Sequence, residues 1–76
     1  MTRFLASRMI AILETLSEVE GGGPESSIYL ALGADIELWE TIRGMMVSLE
    51  WVKVEGNWIT LADKGREVVG KLAAAR

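Results

Sequence analysis

The side chains that most often carry chemistry are nearly absent from this chain. It has no Cys and no His, which removes disulfides, thiolate nucleophiles, iron–sulfur clusters, cysteine-based zinc sites and the commonest acid–base group at neutral pH. Ser26 and Ser27 offer hydroxyls, but a serine nucleophile needs a base to take its proton, and neither a histidine nor an evident lysine accompanies them. Asp63 and Glu67 stand one helical turn apart, and two carboxylates fall well short of the roughly six to eight oxygens that calcium takes. The run Gly21-Gly22-Gly23-Pro24 invites comparison with a phosphate-binding loop. That motif requires a preceding strand and a following Gly-Lys-Ser/Thr; here a helical pattern precedes and Pro24-Glu25 follows, so the run reads as a turn. No catalytic residue, metal or cofactor is expected, and the chain is not expected to be an enzyme.

Charge is the next source of information. Eight Lys or Arg stand against eleven Asp or Glu, for a net charge of −3 and a pI near 4.8. Between Ala34 and Trp51 four acids (Asp35, Glu37, Glu40, Glu50) meet one base, Arg43, while the rest of the chain balances seven against seven. The remaining bases are Arg3, Arg8, Lys53, Lys64, Arg66, Lys71 and Arg76. Trp39, Trp51 and Trp58 can stack on exposed bases, yet tryptophans near a helix end and a hairpin more often serve a core or an interface.

These residues need elements to position them. Half the residues are hydrophobic and a quarter charged, the profile of one ordered domain spanning residues 1–76. With no signal peptide and no apolar run approaching the ~20 residues that cross a bilayer, a cytoplasmic location without a membrane partner is expected. From Arg3 to Glu20, Leu5, Met9, Ile12, Leu13, Leu16 and Val19 recur at spacings of three and four, which predicts an amphipathic helix ending at the glycine run. Pro24 to Leu32 reads as a short second helix offering Ile28, Leu30, Ala31 and Leu32 to the core. Asp35 is a suitable N-cap for a third helix reaching about Glu50. Its core face carries Leu38, Ile42, Met45, Met46 and Leu49, with Trp39 at the edge. Glu37, Glu40, Thr41, Gly44 and Ser48 lie opposite, flanked by the apolar Ile36, Val47 and Trp51. The period then changes from 3.6 to 2. Val52 and Val54 alternate with Lys53 and Glu55, Ile59 and Leu61 with Trp58 and Thr60, around a hairpin turn at Glu55-Gly56-Asn57. Asp63 to Ala75 closes the chain as a helix with Val68, Val69 and Leu72 inward.

This order, three helices, a two-stranded hairpin and a C-terminal helix, is an α+β and mostly helical class that resembles the winged helix-turn-helix domain. Ser48-Leu49-Glu50-Trp51-Val52 followed by Ile59-Thr60-Leu61-Ala62-Asp63-Lys64-Gly65-Arg66-Glu67-Val68 is similar to the MarR- and PadR-type transcription regulators, where "L-E-x-x-G-L-V", a wing and "L-T-D-K-G-R-E" recur. Two features depart from that pattern. Ala62 replaces the usual capping Thr, which would move the cap to Asp63 or Thr60, and the segment from Gly33 to Ile42 is about one turn longer. Physically, Asp63 suits a helix N-terminus and Gly65 allows close packing.

The resemblance implies a small regulator of transcription that binds double-stranded DNA as a homodimer. Its contacts would be Ser26 and Ser27 at the start of the second helix, then Thr41, Arg43 and Ser48 on the third beside Glu37, Glu40 and Gly44, with Lys53 and Asn57 in the wing. Lys64 and Arg66 would join Lys53 if the wing leads. The alternative is a protein–protein interaction module that does not bind DNA and docks through the acidic face of helix three, with Glu37, Glu40, Val47 and Trp51 at the contact. The charge balance between Ala34 and Trp51 favours the second. Phe4, Leu5, Leu72 and Ala73 are expected at a dimer interface, since terminal helices build such dimers in the resembled families and a core this small gains from the extra burial.

Overall fold

The computed structural model describes residues 3–75. In chain order its elements are α1 (Arg3–Glu18), β1 (Gly23–Pro24), α2 (Glu25–Ala31), α3 (Ile36–Ser48), β2 (Val52–Glu55), β3 (Trp58–Leu61) and α4 (Asp63–Ala74). Among the described residues this is a small, mostly helical α+β domain of four helices and one antiparallel sheet of strand order β1-β3-β2.

The hydrophobic period of α1 buries Met9, Ile12, Leu13 and Leu16. They meet Ile28 of α2, Trp39, Ile42 and Met46 of α3, and Val52, Ile59 and Leu61 of the hairpin in one core. The largest side chains wholly removed from water are Trp39, Met9, Leu13, Ile42, Met46 and Ile59. Trp39 therefore sits at the centre of the core and not at its edge. Leu38 and Met45 are only half-buried, and Val19, Leu30, Ala31 and Leu49 are exposed, contrary to the periodicity. A helix wheel fixes the direction of a side chain but not whether a neighbouring element covers it.

The glycine run is a turn, for a more specific reason than flexibility. Gly22 has φ +79°, and a Cβ there would overlap the Ile59 carbonyl oxygen of β3. The chain crosses this close to β3 because Gly23 and Pro24 pair with Ile59 and Trp58 as the short strand β1, which no alternation in the sequence announces. Pro24 is thus the last residue of an edge strand, where a missing N–H is tolerated, and Glu25 opens α2 with its N–H donating to the Asn57 carbonyl at 2.7 Å. Trp58 covers the run from outside, its Nε1–H donating to the Gly21 carbonyl at 2.8 Å.

Asp35 caps α3 as expected, accepting from the Leu38 N–H at 3.0 Å. Both α2 and α3 end in Schellman motifs: the N–H groups of Ala34 and Trp51 reach back to the carbonyls of Tyr29 and Met46, and those of Gly33 and Glu50 to Leu30 and Val47. The left-handed position is filled by Gly33 after α2 but by Glu50, at φ +61°, after α3. The hairpin closes through the two-residue loop Gly56-Asn57, between the paired Glu55 and Trp58, with Gly56 supplying the positive φ. The cap of α4 remains at Ala62, which makes no side-chain cap bond, so the shift to Asp63 or Thr60 does not occur. The entry to α4 is fixed by the Trp51 carbonyl, which accepts from the Ala62 N–H at 2.9 Å and lies where a Cβ on Gly65 would be. Gly65 thus performs the close packing that its sequence position suggests.

Candidate functional site

Helices α2 and α3 are joined by one carboxylate. Glu25, in the first turn of α2, accepts a hydrogen bond from Trp39 Nε1 at 2.7 Å and forms an ion pair with Arg43 one turn further along α3. The Glu25 side chain is only 14% exposed. An indole drawn into the core needs a partner for its N–H, and Glu25 meets that need while drawing the Arg43 guanidinium toward α2. The cluster links residues fourteen and eighteen positions apart, so local spacing gives no sign of it.

The outer face of α3 is left to polar and acidic residues. Glu37, Glu40, Thr41, Gly44 and Ser48 are all exposed. Among the described residues no cation lies within ion-pair distance of Glu37 or Glu40. A mostly apolar groove runs along this face, lined by Glu40, Thr41, Gly44, Met45, Ser48 and Leu49. The groove is shallow, and at Gly44 an added Cβ would meet nothing within 4 Å. Ile36 and Val47, both about half exposed, border the same face on the other side.

The remaining sequence candidates scatter. Ser26 and Ser27 are exposed on the first turn of α2, but Ser27 opens onto a groove between α1 and α2 lined with Arg8, Ile12 and Leu32, away from the groove on α3. Lys53 and Lys64 share a third groove with Val47, Glu50, Val52, Ala62 and Asp63, where two bases face two acids. Lys64 donates to Glu50 at 2.8 Å; this contact holds the Glu50 carboxyl below its usual range and the Lys64 ammonium above its own. Arg66 is exposed on α4 and does not line that groove, and Asn57 is exposed at the hairpin turn. Of the three bases expected to lead from the wing, Lys53 and Lys64 thus share a groove in which Glu50 and Asp63 match them in number. Arg76 lies outside the described residues.

The residues expected at a dimer interface lie toward the two ends of α1. Phe4 is half exposed with the Arg8 guanidinium stacked 5.1 Å from its ring centre, and Leu5 packs on the core. Leu72 and Ala73 line a groove with Glu14, Ser17 and Glu18, which puts them at the other end of α1, roughly 18 Å along the helix from Leu5 to Ser17 at ~1.5 Å per residue. Trp51, expected at a protein contact, is half-buried and packs against the core. Among the described residues no group of three or more metal-ligating side chains gathers, and no helix is long and apolar enough to cross a membrane. The chain matches no family model, no curated protein and no solved structure.

Proposed function

We propose that this chain is a winged-helix domain that docks a basic protein surface through the outer face of α3. The element order, with a short strand between the first two helices, an antiparallel hairpin and a closing helix, supports the winged-helix assignment. The observation that carries the function is the Glu25–Arg43 pair. It takes the one base between Ala34 and Trp51 out of the charge balance of the face that a DNA-reading member would present. With Glu50 held by Lys64, Asp35, Glu37 and Glu40 are left, and each carboxylate about 8 Å from a phosphate opposes docking by roughly 0.5 kcal/mol in a water-like dielectric. DNA readers draw affinity from the opposite arrangement, cations that neutralise phosphates and release counterions. Toward a Lys- or Arg-bearing protein the same carboxylates attract, and the apolar groove beside them adds burial.

Transcription regulation by DNA binding is the second reading, favoured by the exposed hydroxyls of Thr41 and Ser48 on α3 and by the exposed Lys53 on the hairpin. Fluorescence anisotropy with mixed-sequence duplex DNA at low and near-physiological salt separates the two. The docking reading expects no binding at either salt concentration; binding that weakens steeply with salt would restore the DNA reading.

A further inference from the structure

We infer that Gly44 is a close-approach seat at which an amphipathic helix of the partner crosses α3, an apolar side chain entering the groove and basic side chains meeting Glu40 and Glu37. The inference rests on the docking reading and specifies its partner. Glycine weakens a helix interior relative to alanine, so a glycine in the middle of the thirteen-residue α3 calls for a reason. Gly65 and Gly22 have theirs inside the fold, since a Cβ at either would strike a backbone carbonyl. Gly44 and Gly70 have none inside: φ is not positive at either, and nothing lies within 4 Å of the place a Cβ would take. What singles out Gly44 is its setting, a shallow and mostly apolar groove that it lines with Met45 and Leu49 beside the carboxylate of Glu40. A bare backbone at a helix crossing lets the second helix approach more closely than the usual ~8–10 Å.

Charge identifies the occupant. Along α3, Glu40 stands one turn from Gly44 and Glu37 nearly two, about 6 Å and 10 Å at the helical rise. Neither carboxylate has a cation at ion-pair distance among the described residues. A helix with an apolar residue over Gly44 and Lys or Arg about four and seven positions along it matches this spacing on one face. Glutamate is repelled by phosphate at the same distances, so the complement is a basic polypeptide.

The test uses a fluorescein-labelled amphipathic peptide of Leu and Lys with its Leu at helical spacing, titrated by anisotropy against the full chain and four variants. Gly44→Ala is expected to raise the melting temperature while weakening peptide binding about tenfold, the equivalent of about 1.4 kcal/mol. Gly70→Ala, the same change on an open face of α4, is expected to raise stability and leave binding alone. Glu37→Gln and Glu40→Gln are expected to weaken binding several-fold and to flatten its salt dependence. Wild-type affinity in Gly44→Ala, with the glutamine variants still weakened, would overturn the seat and leave the docking reading standing. Absence of peptide binding, binding indifferent to both glutamine changes, or displacement of the peptide by duplex DNA would overturn both.

Discussion

Removing the Glu25 carboxylate should cost this domain more than an exposed ion pair is worth, because the loss falls on the N–H of a buried indole. Trp39 is 1% exposed, and its Nε1–H donates to Glu25. Glu25→Ala leaves that donor unpaired, a penalty of about 1–3 kcal/mol. It also frees Arg43, whose side chain is 37% exposed, so the ion pair itself adds at most about 1 kcal/mol. The sum, roughly 1–4 kcal/mol, corresponds to a fall in Tm of about 4–30 °C for a domain of this size. Glu25→Gln keeps an oxygen for the indole and loses only the charge, so its cost should stay below about 1 kcal/mol. Urea unfolding followed by Trp fluorescence measures both. Trp39→Phe closes the cycle: in that background Glu25→Ala should be milder by about 1–2 kcal/mol, since no indole donor remains to be orphaned. Equal losses in the alanine and glutamine variants, or a coupling near zero, would refute the role given to the indole bond.

Three further outcomes follow from the same geometry. Gly65→Ala should destabilise by about 3 kcal/mol or more, because its methyl would overlap the Trp51 carbonyl and only a shift of α4 can relieve it; thermal melts detect this directly. Gly70→Ala, on an open face of the same helix, should stabilise by about 0.5–1 kcal/mol, so the two glycines of α4 are expected to respond with opposite sign. The Glu50–Lys64 contact lowers the pKa of Glu50 and raises that of Lys64, chiefly through their hydrogen bond. What it contributes is therefore present across neutral pH, lost as pH falls through the lowered Glu50 value, and lost again as pH rises through the raised Lys64 value. In an NMR titration Lys64→Ala should return the Glu50 carboxyl toward its usual range.

Periodicity carried most of the fold. The spacing in α1, the change to alternation at Val52, the Asp35 cap and the packing of Gly65 are local signals, and the structure bears them out. What stayed hidden was set by distant partners. Strand β1 has two residues and exists only because Gly23 and Pro24 reach Ile59 and Trp58. A helical wheel puts Trp39 at the edge of the core face because it carries no information about Glu25, which accepts the indole hydrogen bond and makes full burial tolerable. After α3 it is Glu50 that adopts the left-handed φ a glycine would ordinarily supply, and its residue type does not announce this. The acidic bias of α3 was legible from composition alone; that Arg43 turns toward α2 was not, and this sharpens the bias into a face.

The most direct test of that face is a pair of NMR titrations on the isotopically labelled full chain, one with the Leu/Lys amphipathic peptide and one with mixed-sequence duplex DNA at low salt. The account predicts peptide-induced amide shifts concentrated at Glu37, Glu40, Thr41, Gly44 and Ser48, and no shifts from DNA. Shifts on those same α3 amides with DNA, and none with the peptide, would contradict it.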